Sequence, residues 1–220
     1  HDMLAHSTFK AAEINRERGV IIEEINMYED NPQSHMVDLL DGMAFGEHPL
    51  GWNIAGTRDV IRAVPRAAIL AYRDRYYVPE RMVLAVAGRL PKGTWQALEG
   101  TFGTWKRCPE AAAYAPSAFP GRGLEGVRLS LQKKNIEQAQ LGLAFPTFPI
   151  LDPRQNALRL LAVILGGTMS SRLFTEVRER RGLCYTISAG RVSYDDIGLF
   201  RITAGLEKKR LREAVDVVWK

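Results

Sequence analysis

Cysteine is scarce in this sequence: 220 residues contain two, Cys108 and Cys184, set far apart. No Cys-x-x-Cys occurs, which excludes a cysteine-built zinc ribbon and a redox motif. Two distant cysteines make no disulfide framework, so a reducing compartment, the cytoplasm, is the expected location. Cys184 reads as a small buried residue, with nothing nearby to mark it as a nucleophile. No apolar run approaches the roughly 20 residues of a membrane span, and the N-terminus has no signal-peptide layout. Neither Gly-x-Gly-x-x-Gly nor Gly-x-x-x-x-Gly-Lys appears, so nucleotide binding has no motif behind it. A block of charge of one sign is missing too. The formal net charge is +5, yet 30 Lys and Arg residues are interleaved with 25 acids, as in "NRERGVIIEE" and "EVRERRG". That pattern makes no basic stripe, and nucleic acid is excluded as a partner.

What is present is an ordinary globular composition, 46% hydrophobic, at a length that suits one large domain or two smaller ones. A short helix is expected over Asp2 to Ala5, then a long one from Ala11 to Glu29, ended by "DNP". "SHMVDLLDGMAF" reads as the next helix with Ser34 as its N-cap. "GEHPLGWNIAGT" reads as a loop. Thr57 caps a short helix, and Pro65 opens another over "PRAAILAYRDRYY". "RMVLAVAG", residues 81–88, has the length and Val content of a buried strand. "KGTWQALEGTFG" is a further helix. Residues 106–124 are Pro-rich, show neither period, and read as a linker.

After the linker, "GVRLSLQKKN" and "EQAQLGLAFPTF" read as two strands able to pair antiparallel. "PRQNALRLLAVILGG" is a helix whose apolar positions are assigned to the core. "SSRLFTEVRERRG" is an amphipathic helix, capped by Ser170 or Ser171 and ended by Gly182. "CYTISAGRVSY" and "GLFRITAGL" are two more strands joined by "DDIG", and a last helix begins near Lys209. Strands and helices mixed in each half, with hairpin-like pairs, predict an α+β fold with largely antiparallel sheets. Both ends read as cut, so exposed apolar surface or a compensating partner is expected.

The stretch "RERGVIIEEINMYEDNP" poses a chemical question. Glu17 and Glu24 are seven residues apart, which puts them on nearly one face of a helix. A solvated face and a metal or catalytic site both produce that pattern, and the stretch alone does not choose.

Two groups of motifs, in order, carry a resemblance. The first is "ERGVIIEEINMYEDNP" followed by "HPLGWNIAGTRDVI" and "YYVPERMVLAVAG". The second is "LAVILGGTMSSRLFTEVRERRGLCYTISAG". Together they resemble the M16 metallopeptidase family, which includes insulin-degrading enzymes, pitrilysins and mitochondrial processing peptidases. The resemblance runs over nearly the whole chain. It implies two homologous α+β half-domains, both truncated here: residues 1–105 as the latter part of the first and 125–220 as the early part of the second. It also implies a zinc-dependent endopeptidase that closes around an extended peptide.

By that resemblance Glu24 is a zinc ligand and Glu17 its supporting acid. Glu23 is the alternative by position, and the seven-residue spacing from Glu17 selects Glu24. Glu29 and Asp30 are assigned to solvent. The family's two histidine ligands and general-base Glu come from His-x-x-Glu-His. The four histidines here, His1, His6, His35 and His48, form no such motif. His35 and His48 are read as structural or exposed. One carboxylate does not hold zinc, so this polypeptide alone is expected to be inactive, with Zn2+ held only in an intact parent. Arg178 and Tyr185, seven apart, match the family's substrate-holding pair. Arg supplies a fixed donor fork, and Tyr a hydroxyl for the oxyanion. The implied partners are a peptide substrate and a second M16-type chain, as a homodimer or a homologous pair. The rival reading is a non-catalytic family member that serves as a scaffold or peptide-binding subunit.

Overall fold

The computed structural model describes residues 1–106 and 128–220. In chain order the helices and strands are α1 (Asp2–Ala5), α2 (Ala11–Asp30), α3 (Pro32–Phe45), α4 (Arg58–Ala63), α5 (Arg66–Tyr76), α6 (Thr94–Thr101), β1 (Gln138–Thr147), α7 (Gln155–Ala162), β2 (Cys184–Ser193), β3 (Gly198–Glu207) and α8 (Leu211–Trp219). The expected linker at 106–124 lies outside the described residues apart from Lys106. The residues group into two compact units. One takes His1–Glu23 and residues 57–106; the other takes Glu24–Gly56 and residues 128–220.

Caps explain the helix starts. Asn31, not Ser34, caps α3: its side-chain oxygen accepts from the N–H groups of Gln33 and Ser34, both at 3.1 Å. Pro32 then takes the first helical position, where its missing N–H costs nothing. Thr57 caps α4 as expected, accepting from the Val60 N–H at 3.3 Å.

The first unit is helical. Arg66 and Arg73 of α5 donate to the carbonyls of Thr8, Phe9 and Ser7, and the Arg73 guanidinium lies 5.7 Å from the centre of the Phe9 ring. Those contacts hold the segment between α1 and α2 against α5. Residues 81–88 are not a strand. A ladder needs a second backbone edge, and no strand pairs with this segment among the described residues. Its apolar residues stay open: Val83 is 96% exposed and Leu84 51%.

The second unit holds a three-stranded antiparallel sheet in the order β1-β3-β2. "DDIG" joins β2 and β3 as a hairpin, as expected. β1 does not pair with "GVRLSLQKKN"; it lies along β3, with Leu143 opposite Ile202 and Phe145 opposite Phe200. Residues 128–137 form no strand, and Leu129 and Leu131 remain about nine-tenths exposed, at 87% and 90%. The central strand β3 is paired on both edges, through β1 and β2, while β1 is an edge strand among the described residues, along whose outer side residues 128–137 do not run as a ladder.

Alternation along β3 sorts its side chains between two faces. Phe200, Ile202, Ala204 and Leu206 enter the main core with Leu158, Val177, Leu183 and Ala214. On the other face Leu199 packs with Phe45 of α3, and Arg201 pairs with Asp41 of α3. Gly142 of β1 lies where a Cβ would collide with Met36, so glycine there lets α3 approach the sheet. The assignment of the apolar positions of α7 and the turn after it to the core holds for Leu158 and Ala162 and fails for Leu160, Leu161, Val163 and Ile164, which are 64%, 44%, 47% and 50% exposed. One side of a helix faces the sheet, and these four lie off that side.

Candidate functional site

Local irregularity positions Arg178. The expected amphipathic helix widens into a π-turn over Phe174–Glu179, with the Arg180 N–H reaching back to the Thr175 carbonyl at 2.9 Å. Such widened turns recur at functional sites. Neither Ser170 nor Ser171 caps this helix through its side chain. The Ser170 hydroxyl pairs with Thr168 at 3.2 Å, and the Ser171 Oγ is buried without a hydrogen-bond partner. The backbone carbonyl of Ser171 instead accepts from the Thr175 N–H at 3.0 Å.

Gly182 ends the turn at φ +60°. Its N–H donates to the Arg178 carbonyl at 2.9 Å, and the next N–H, of Leu183, donates to Val177 at 2.9 Å. This is a left-handed helix end that suits glycine. Val177 and Leu183, both wholly buried, anchor the turn on either side of the reversal.

The chain then enters β2 through a bulge. Cys184 lies opposite Leu206 and Thr186 opposite Gly205, so Tyr185 is the extra residue. A bulge re-aims a side chain, and bulges concentrate beside active sites. Tyr185 is 69% exposed. Its ring centre lies 5.5 Å from the Arg178 guanidinium carbon, and the Phe174 ring centre lies 4.7 Å from the same carbon. The fold therefore brings the two sequence-chosen residues together and adds a third, Phe174. An aromatic residue four positions before an arginine on a helix was the available signal for it.

Several other charges around the turn are committed to one another. The Arg181 and Arg180 guanidinium groups each donate to Glu176 at 2.5 Å, and the hydrogen bond from Arg181 is the main reason that its carboxyl is held below the ordinary range. Arg210 donates to the Arg181 carbonyl at 2.9 Å and grips Glu213. Arg178 has no acidic partner among the described residues. Cys184 is buried, as expected, and burial pushes its thiol up, with the Arg178 charge pulling the other way.

The carboxylates of α2 are arranged differently. Glu17, Glu23 and Glu24 are all exposed. Glu17 falls in the first unit and borders an apolar hollow of about 310 Å³ whose walls include Phe9, Ile14, Ile61 and Ile69. Glu24 falls in the second unit. Asp30 faces solvent, while Glu29 is half-buried and its carbonyl accepts from Lys134 Nζ at 2.5 Å. His35 and His48 are structural: His35 bonds Gln132 at 2.6 Å, and His48 Nδ1 accepts from the Leu50 N–H at 3.2 Å. Zinc in a hydrolase takes three protein donors. No three His, Cys, Asp or Glu side chains gather in that way among the described residues. The donors among the described residues do not fit a zinc ion by themselves.

Comparison with known proteins was then decisive for kinship. A family model described as the insulinase (peptidase family M16) domain matches residues 1–58. One described as the peptidase M16 inactive domain matches residues 63–220. An uncharacterized zinc protease of Bacillus subtilis is 35% identical over 217 residues, which cover 99% of this chain and 52% of that protein. One from Streptomyces coelicolor is 34% identical over 221 residues, covering 98% and 48%. The chain thus spans about half the length of the curated relatives it matches. Among solved structures, a protease from Helicobacter pylori superposes with a TM-score of 0.82 at 23% identity, over 94% of this chain and 52% of that one. A peptidase M16 inactive domain from Pseudomonas fluorescens gives 0.75 at 22% identity, over 96% and 50%. These two likenesses concern the fold, which is α+β.

Proposed function

The chain belongs to the M16 peptidase family, and from that premise we propose that it is part of a zinc-dependent endopeptidase and supplies the residues that hold the peptide. The observation that carries this reading is the meeting of Arg178 and Tyr185 between a widened helix end and a strand bulge. Arg178 offers a planar fork of donors to a peptide carbonyl or carboxylate. The Tyr185 hydroxyl is free to donate to an oxygen that gains charge as an acyl carbon is attacked.

Glu24 is proposed as a single metal donor and Glu17 as its supporting acid, with the remaining donors drawn from outside these 220 residues. On that reading the 220-residue chain does not cleave peptides alone. The intact enzyme pairs two M16-type halves, divided near residues 106–124, and works in a cytoplasmic compartment. Among the described residues no helix is long and apolar enough to cross a membrane.

The test uses the full-length parent polypeptide, loaded with zinc and assayed on a fluorogenic peptide with and without chelator. Arg178→Ala should keep zinc and lose most, but not all, of its turnover; Glu24→Gln should lose zinc. The reverse pattern overturns the assigned roles. A second reading, a non-catalytic peptide-binding subunit, is favoured by one finding: the model that matches residues 63–220 is described as an inactive domain. Peptide binding without cleavage by the zinc-loaded parent would select it.

A further inference from the structure

We propose that Phe174 is a positioning residue that sets the direction of the Arg178 guanidinium. The inference rests on the reading of Arg178 as a substrate contact and goes one step beyond it. A long arginine side chain on a surface samples many rotamers, and a substrate has to pay for their loss. The usual brace is a carboxylate, but a carboxylate consumes N–H donors and cancels charge. Here Glu176 is held by Arg180 and Arg181, and the adjacent Glu179 makes no ion pair with Arg178 among the described residues.

An aromatic ring braces the cation by its quadrupole and leaves the N–H donors uncommitted. The guanidinium carbon at 4.7 Å from the Phe174 ring centre and 5.5 Å from that of Tyr185 is inside the range of this attraction for both. The two rings are not equivalent. Tyr185 is 69% exposed, whereas Phe174 is half-buried and packs on the main core beside Val177. Phe174 is therefore the fixed wall. It begins the same widened turn that carries Arg178, so core packing reaches the guanidinium through one ring.

The test is a double-mutant cycle in the zinc-loaded parent polypeptide, because coupling separates positioning from mere structural support. Phe174→Leu should lower kcat/KM roughly three- to tenfold, the range expected from one cation–π contact. Zinc content and thermal midpoint are measured alongside. In an Arg178→Ala background the same change should do nothing further. Phe174→Tyr, which keeps a ring, should restore activity. If Phe174→Leu folds poorly, Phe174→Met serves in its place. Equal losses from Phe174→Leu with and without Arg178 would show a structural role and overturn the proposal. Full activity of Phe174→Leu beside a crippled Arg178→Ala would also overturn it, while leaving the role of Arg178 intact. Full activity of Arg178→Ala would sink the earlier reading, and this one with it.

Discussion

The two units bury very different amounts of themselves. In the second, Val177, Leu183, Leu199, Leu206 and Ala214 are wholly enclosed. In the first, no described residue is wholly enclosed, and Val78, at 6% exposure, is the one that is buried. Both contain short apolar segments of strand length. The second unit converts one of them into the central strand β3, flanked on both edges. The first leaves residues 82–88 without a ladder and open. The difference teaches that side-chain pattern proposes a strand and backbone pairing makes one. It also separates two settings: Arg178 and Tyr185 rest on a closed core, and Glu17 borders an open hollow.

The largest expected contrast is in hydrogen exchange. Amides of Phe200 to Leu206 are bonded on both sides and should open only with global unfolding. Amides of Val83 to Ala87, with no ladder, should exchange near the intrinsic rate. In this chain the two segments should differ by about a thousandfold or more, given ordinary domain stability. Mass spectrometry of peptic peptides reads the difference directly. Comparable protection in both would break the contrast at its root.

Substitution sharpens it further. Leu206→Ala removes a wholly enclosed side chain at the centre of the main core and should cost about 3 kcal/mol in urea unfolding. Leu84→Ala removes one that is 51% exposed, and should cost well under ~1 kcal/mol. Similar losses for the two would mean that the first unit has a core after all.

What was legible in the sequence follows the same line. Thr57, Gly182 and the "DDIG" hairpin were readable because caps and turns are local chemistry. Arg178 and Tyr185 were chosen through motif resemblance, and the fold sets them together. The partner of β1 was not legible. Alternation marks a strand without naming its neighbour: β1 pairs with β3, some sixty residues later, and not with the adjacent segment. The widened turn at Phe174 and the bulge at Tyr185 were hidden because each needs one residue more than the regular period, and nothing in composition marks that insertion. The spacing of Glu17 and Glu24 was readable, but spacing on one helix says nothing of what other donors lie near.

A smaller effect tests how the second unit joins α3 to its sheet. Asp41 and Arg201 form a half-buried ion pair on the face away from the main core. Arg201→Met strands the Asp41 carboxylate and should cost about 2 kcal/mol, whereas Asp41→Leu with Arg201→Met should cost less than either single change. Additive losses in urea unfolding would mean that the pair is not coupled.

The smallest effect concerns acid stability, where two carboxylates of the same unit act with opposite sign. Arg154 clamps Asp152 through its guanidinium at 2.9 and 2.8 Å and through its backbone N–H at 2.8 Å. The side-chain bonds, then the backbone bond, bring the Asp152 carboxyl down to about 2 from the ordinary 3.8. The folded state therefore holds this proton less tightly than the unfolded state. Its stabilising contribution is complete above the ordinary value and disappears as pH falls towards about 2. Asp41 runs the other way: burial raises its carboxyl and Arg201 lowers it only in part. The contribution of Asp41 is fullest in acid, below the ordinary 3.8, and fades as pH rises through its folded value. Asp152→Asn should therefore flatten the loss of stability on acidification, and Asp41→Asn should steepen it. Urea midpoints measured between about pH 2 and pH 6 distinguish them. If both variants shift the acid limb in the same direction, burial does not outweigh the Arg201 charge at Asp41. The contrast between the two carboxylates within one unit would then be lost.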